Sequence, residues 1–351
     1  APLAAAVARP DFRTLPQARA WVAAESAGAI ALAARLADQA ADRPDRPDRA
    51  AAAIDLLIAL SAFSQDAHYG PLADAARALA ATAALGGDQR TRGRARFLCG
   101  TIALAATRIG EAELQTRLAV EACRAAGDTV ILRQALNDLG LIAHNQREYQ
   151  EAVRCYREAI ALARELGDRS GELMTRVNAA MSLLRSGQRQ QAVEACEAAL
   201  PELRALRDSA CTAYGLYVLG LALHELGRYE EAALRYTECL TIATDAGIRA
   251  REGHARYRLA DALRAMGRPQ QALREARQAL AICEELGAER DQGLALVVIG
   301  RALAEVGEPA AAREQLTRAH GLFERLALPN AADVAVLLAD LDGQPAPAPG
   351  G

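Results

Sequence analysis

Seven side chains able to bind or orient a ligand fall close together in this chain: Tyr214, Tyr217, His224, His254, Tyr257, Asp261 and Arg264. Only 4 % of the residues are aromatic, so the clustering stands out. Rings supply contact area, while imidazoles, a carboxylate and a guanidinium can orient a polar ligand such as a peptide or a small metabolite. The competing reading is a plain polar wall with tyrosines packed between helices. Catalysis fits less well, because Ser61, Ser64, Ser182, Ser186 and Ser209 have no histidine at helical spacing to activate them. Metal chemistry fits no better, since no His, Asp and Glu gather at i, i+3 or i+4 spacing in sufficient number.

These residues matter as a set only because they occupy matching places in a repeat. A small residue returns every 40 positions at Gly100, Gly140, Ala180, Gly220, Ala260 and Gly300. Twelve further on come Ala112, Ala152, Ala192, Ala232, Ala272 and Ala312, and nineteen further on Ala119, Ala159, Ala199, Cys239, Ala279 and Ala319. Small residues at three fixed offsets describe two helices, A and B, whose backbones cross closely, stacked as a quasi-linear array. Such an array presents a surface, so binding is expected before catalysis.

Counting from the small residue, Asn137, Tyr217 and Tyr257 share one position of helix A, and Tyr214 and His254 share another. His144, His224 and Arg264 share a third, and Asp261 and Arg301 a fourth. Helix A lines the inner face of such arrays, so Asn137, His144, Tyr214, Tyr217, His224, His254, Tyr257, Asp261, Arg264 and Arg301 are the candidate groove residues. His144 and His224 lie two repeats apart, roughly 20 Å at about 10 Å per helix layer, too far to share a metal.

The expected layout follows from the same register. Residues 1–41 form an N-terminal helical segment, with a helix from about Pro16 to Ala40, and 42–49 a Pro/Asp/Arg linker before an Asp48 N-cap. The array spans 50–328: a degenerate first repeat, 50–88, then clear repeats 89–128, 129–168, 169–208, 209–248, 249–288 and 289–328. Residues 329–342 form a capping helix and 343–351 a disordered tail. Pro201 falls inside a helix B and predicts a bend or early termination near Leu200. Pro269 and Pro309 open helices where their missing N–H is harmless.

Composition bounds the partners. The net charge of −3 offers no field for nucleic acid or an anionic membrane. The one basic run, Arg90, Arg92, Arg94 and Arg96, reads as a solvated inter-repeat turn. No lysine occurs anywhere, which excludes a phosphate-binding loop of the GxxxxGK[ST] type. Seven cysteines without a CxxC pair read as small buried hydrophobes in a reducing, cytoplasmic setting. No apolar run is long enough to span a bilayer. The chain opens on Ala1 and not Met, which suggests a processed product or part of a longer polypeptide.

The run Leu219-Gly220, Gly227-Arg228-Tyr229 and Ala232 resembles the tetratricopeptide consensus. A period of 40 resembles the longer-helix subclass found in kinesin light chain, Pins-like scaffolds, Rap- and PlcR-type receptors and AfsR-like activators. The loop Gly167-Asp168-Arg169-Ser170-Gly171-Glu172 is common to several of these. Pro10-Asp11-Phe12 with Ala20-Trp21-Val22-Ala23-Ala24-Glu25 is similar to the segment after the nucleotide-binding module of AfsR-like proteins, with Val22 where Leu is usual. Leu322–Leu326 and Pro329–Val334 resemble the closing helix of that group.

The resemblance implies an all-α tetratricopeptide-repeat superhelix, a right-handed solenoid of about seven 40-residue hairpins with an N-terminal helix and a C-terminal cap. It further implies the sensor module of an AfsR/SARP-like, STAND-type transcriptional regulator of secondary metabolism, with no cofactor and no enzymatic activity. Its partners would be a protein or peptide ligand, or a small metabolite, and DNA-binding and ATPase effector modules of the same polypeptide. Neither nucleic acid nor membrane would be contacted directly. The alternatives are a freestanding scaffold for protein assembly and a peptide-pheromone receptor module.

Overall fold

The computed structural model describes residues 15–42, 47–61, 69–85 and 88–343, and these hold sixteen helices and no strand. The chain divides into two compact units, Ala1–Asp168 and Arg169–Gly351. The first holds α1 (Leu15–Asp42), α2 (Pro47–Ser61), α3 (Tyr69–Leu85), α4 (Gln89–Ala105), α5 (Ile109–Ala126), α6 (Thr129–Asn145) and α7 (Tyr149–Glu165). The second holds α8 (Arg169–Arg185), α9 (Arg189–Ala205), α10 (Ser209–Glu225), α11 (Tyr229–Asp245), α12 (Arg249–Ala265), α13 (Pro269–Glu285), α14 (Glu289–Glu305), α15 (Pro309–Arg325) and α16 (Asn330–Gly343). The expected all-α hairpin array is what the chain forms.

From α4 to α15 the backbone beats at half the period of the side chains. A residue in the left-handed region falls every 20 positions: Thr107, Gly127, Arg147, Gly167, Gly187, Arg207, Gly227, Gly247, Gly267, Gly287, Gly307 and Ala327. Each ends one helix and turns the chain into the next. Starts are marked more sparingly. Asp88 accepts from the backbone of Arg90 and Thr91 at 3.0 and 3.2 Å, and Asp208 from Cys211 at 2.9 Å. Pro269 and Pro309 stand in the first turns of α13 and α15.

Close crossing of the two helices in a hairpin depends on size matching. A Cβ at Gly140 or Gly220 would strike the ring of Tyr156 or Tyr236, sixteen positions on, and at Gly300 it would strike Leu316. Where the first position is Ala180 or Ala260, the partner position holds Cys196 or Ala276 instead. From α6 to α15 the hairpins therefore alternate between glycine under a large side chain and alanine under a small one, whereas α4–α5 sets Gly100 against Thr116. Tyr156, Tyr236, Cys196, Ala276, Ala180 and Ala260 are all fully buried. Within the second unit α8, α10, α12 and α14 touch in succession, and α9, α11 and α13 each pack against the A helices before and after them.

Four expectations change. Helix α9 does not stop near Leu200 but runs through Pro201 to Ala205, because buried Leu200 and Leu203 hold its last turn in the core. Helix α2 begins at Pro47, so Asp48 lies inside its first turn and not at its N-cap. The arginine run lies in α4 and not in a turn: Arg94 pairs with Asp55 and, at 2.6 Å, with Asp128, and Arg96 donates to Gln115. Among the described residues α2 packs chiefly on α1 and only lightly on α3, unlike the later hairpins. Residues 1–14, 43–46 and 344–351 lie outside the described residues, and with them Pro10-Asp11-Phe12, most of the linker's first half and the expected tail.

All seven cysteines are buried and free. Among the described residues no helix is long and apolar enough to cross a membrane.

Candidate functional site

Helices α10, α12 and α14 are successive A helices of the second unit, so one repeat position on each meets the next across the same face. Tyr217 and Tyr257, at one such position, are 8 % and 4 % exposed. Between them lies His254, its ring 5.9 Å from that of Tyr217 and 6.0 Å from that of Tyr257. Its Nε2 stands 3.0 Å from Asp291 Oδ2 on α14. Burial would raise the Asp291 carboxyl, yet His254 holds it below the usual aspartate range.

A second cluster adjoins the first. Asp261 lies 3.6 Å from His224 Nε2, 3.1 Å from both Nε and Nη2 of Arg264, and 3.9 Å from Arg301. Arg264 also donates to Glu305 at 2.6 Å, so its guanidinium is committed to protein acids. Burial pushes the His224 imidazole below its usual 6.5, aided by Arg258 and Arg264 and opposed by Asp261. His224 is therefore neutral at pH 7.

Eight of the ten sequence-predicted residues meet here: Tyr214, Tyr217, His224, His254, Tyr257, Asp261, Arg264 and Arg301. Asn137 and His144 belong to the first unit. Asn137 hydrogen-bonds Asp138, and the His144 ring packs edge-on against Tyr149 at 5.4 Å. His224 repeats that contact with Tyr229 at 5.0 Å, so this part of its role is hairpin packing.

The sequence reading missed Arg251, Tyr236, Arg258 and Asp291. Arg251 lies over the rings of Tyr214 and Tyr217, 4.9 and 4.7 Å from their centres. Arg258 lies 5.2 Å from the centre of Tyr257 and hydrogen-bonds Tyr217. Burial works against the Arg258 charge, but arginine does not lose its proton in proteins. A signal was present: two places before the small residue, the chain reads Leu98, Asp138, Asn178, Val218, Arg258 and Val298. Three polar residues in an otherwise apolar column of a core-facing helix mark a place where packing has been set aside.

The site keeps unmet polar capacity. Tyr236 Oη, Arg258 Nε, His224 Nε2 and Asp291 Oδ1 are buried without a hydrogen-bond partner. Burial keeps Tyr214, Tyr236 and Tyr257 as neutral phenols, Tyr214 being pushed up to about 12. Both His–Asp pairs orient an imidazole, and neither prepares a nucleophile; burial pushes the Cys283 thiol near Asp291 up to about 11. No group of three His, Cys, Asp or Glu side chains among the described residues is placed to hold a metal ion. The arrangement suits recognition of a ligand bearing both apolar and charged groups.

The tetratricopeptide repeat family matches the chain at residues 131–201, 171–245 and 252–325. The regulatory protein AfsR of Streptomyces coelicolor is 32 % identical over 172 residues, which is 49 % of this chain and 17 % of that protein. AfsR of Streptomyces griseus is 29 % identical over 239 residues, 68 % of this chain and 23 % of that protein. The chain thus spans less than a quarter of either relative. Among solved structures, a signal transduction ATPase with numerous domains and a tetratricopeptide repeat sensor, from Pyrococcus horikoshii, superposes with a TM-score of 0.60 at 12 % identity. That match covers 85 % of this chain and 49 % of the other. A Rap protein complexed with competence and sporulation factor gives 0.56 at 13 % identity, covering 89 % and 97 %. Identities this low show a shared fold alone.

Proposed function

Because the chain belongs to the tetratricopeptide repeat family, we propose that it is the ligand-sensing module of an AfsR-like transcriptional regulator of secondary metabolism. The face shared by α10, α12 and α14 takes a peptide or protein ligand, or a small metabolite. Occupancy is passed to DNA-binding and ATPase modules of a longer polypeptide. One observation carries the reading: buried tyrosines, stacked arginines and partnerless polar atoms are concentrated on one face of adjacent repeats. The relatedness to AfsR and the sensor named in the Pyrococcus protein support the regulatory half, and the Rap complex supports a peptide as ligand. Free buried cysteines, and no membrane-crossing helix among the described residues, agree with a cytoplasmic setting. The module itself performs no catalysis.

The coupling has a thermodynamic limit. A ligand shifts the balance between resting and active regulator only by its difference in affinity for the two. The test is transcription from a reporter under the polypeptide that carries this module, with Tyr217→Ala plus Tyr257→Ala against wild type and with helix content checked. Because these truncations remove buried rings, Arg251→Gln provides a gentler second variant. Regulation unchanged in both would defeat the assignment of this face.

A further inference from the structure

The arginine run of α4 divides by side, because residues four apart share a helix face. Arg90 and Arg94 meet acids: Asp128 lies 3.5 Å from the first and 2.6 Å from the second, and Asp55 also pairs with Arg94. Arg92 and Arg96 meet only amides. Arg92 donates to Gln89 Oε1, and Arg96 donates to Gln115 Oε1 at 2.7 Å. An amide oxygen satisfies a donor but neutralises no charge.

Two later hairpins show what this one lacks. Arg92 and Arg96 stand eight and four places before Gly100; Glu172 and Arg176 hold those places before Ala180, and Glu252 and Arg256 before Ala260. Arg176 pairs with Glu172 at 2.6 Å, and Arg256 with Glu252 at 3.1 Å. Arg256 also pairs with Glu275 at 2.7 Å, and Arg249 with Glu252 at 2.7 Å. In register, Glu275 corresponds to Gln115 and Arg249 to Gln89. The four positions thus hold two arginines and two glutamates in α12–α13, but two arginines and two glutamines in α4–α5. Both acids are gone while two positive charges remain, and like charges four apart on a helix repel.

Space for an anion lies beside them. Arg92 and Arg96 line a cavity of about 390 Å³ between α4 and α5, walled by Leu118, Ala122 and Ala125, with Glu121 on the α5 side. That volume suits a small ligand. The two helices of one hairpin form this cavity, not the face shared by α10, α12 and α14.

We infer that this cavity binds a small phosphomonoester, its phosphate held by Arg92 and Arg96 and its organic group by Leu118, Ala122 and Ala125. A phosphomonoester brings about two negative charges at pH 7 and three acceptor oxygens, which matches two arginines with donors to spare. A monocarboxylate would leave one arginine unmatched. Inorganic phosphate would leave the apolar wall uncovered. Glu121 repels the phosphate and so keeps it on the α4 side.

The probe is phenyl phosphate, titrated calorimetrically into the whole chain at fixed ionic strength, with benzoate and inorganic phosphate as comparisons. We expect saturable binding of one phenyl phosphate per chain, and weaker binding of both comparisons. Arg92→Gln and Arg96→Gln, with helix content intact, should each weaken it at least about tenfold, as loss of a charge-assisted pair does. Arg92→Glu recreates the glutamate–arginine pair of α8 and α12, so it should abolish binding and raise the urea midpoint. Arg277→Gln, at an exposed position of α13, should change nothing. No saturable binding, or equal binding by Arg92→Glu, would overturn the site. Benzoate binding as tightly would overturn the dianion, and inorganic phosphate binding as tightly would overturn the organic group.

Discussion

The two units place opposite charges at the same repeat position and deal with them differently. Two places before the small residue of its A helix, the first unit has Asp138 and the second has Arg258. Burial pushes the Asp138 carboxyl up to about 6, although Thr101 donates to it at 2.8 Å and Asn137 also bonds it. An aspartate can relieve its own burial by taking a proton. Arg258 has no such exit, and its surroundings supply phenol rings instead. The same helical frame thus holds a carboxyl that can take up a proton in one unit and a permanent cation in the other.

The tyrosines set sixteen places after that small residue test the difference most strongly. Tyr156 and Tyr236 are both fully buried over glycines, and replacing either by alanine should cost about 3–5 kcal/mol in urea unfolding. Replacement by phenylalanine should separate them. Tyr236 Oη has no partner, so Tyr236→Phe should be neutral or slightly stabilising. Tyr156→Phe in the first unit should lose about 1 kcal/mol, because its buried hydroxyl, unlike that of Tyr236, is not left without a partner. Equal effects of the two phenylalanine variants would remove the distinction between the two hydroxyls.

Titration should separate the units next. Asp138 binds its proton more tightly folded, at about 6, than its ordinary 3.8. Between those values the folded state holds more protons, so its stability falls as pH rises through the window, by up to about 3 kcal/mol. Asp138→Asn should therefore stabilise the protein above pH 6 and flatten that slope. His224 has the opposite sign. Its folded value lies below 6.5, so the unfolded chain protonates first and stability is lost as pH falls below 6.5. His224→Gln should weaken that acid sensitivity and leave the Asp138 slope in place; unfolding midpoints from pH 4 to pH 8 would check both.

The smallest effects concern the turns. Arg147 in the first unit and Arg207 in the second have φ of 65° and 54°, which costs a residue with a Cβ about 1 kcal/mol relative to glycine. Arg147→Gly and Arg207→Gly should each raise the unfolding free energy by about that amount, and by similar amounts, since turn geometry is common to both units. A gain in one unit only would mean that the arginine side chain contributes there.

The helices were legible because small residues at offsets of 12 and 19 survive in every clear repeat. The 20-residue beat was legible through its turn glycines and the loop phase that includes Arg207, but not at Thr107 and Arg147, which give no sign in their chemistry that they end a helix. Pro201 misled in the other direction, since local propensity argued for a break that packing of Leu200 and Leu203 overrides. At the site, tyrosines and histidines in shared columns stood out on one helix face. Arg258 did not, because its neighbours in the column are mostly apolar and its partners Tyr217 and Tyr236 come from two other helices. Contacts between elements of this kind have no periodicity to betray them.

The pairing of Gly220 with Tyr236, and of Ala260 with Ala276, also bears on how such a chain can grow. Each of these matches of size closes inside one hairpin, so copying or exchanging a whole hairpin keeps it intact. Exchanging a single helix does not. Setting α11 in the place of α13 would drive a tyrosine ring into Ala260, and the reverse exchange would leave a void above Gly220. The hairpin is thus the smallest heritable cassette of this array, and duplication by any odd number of helices would have left a scar that this sequence does not carry.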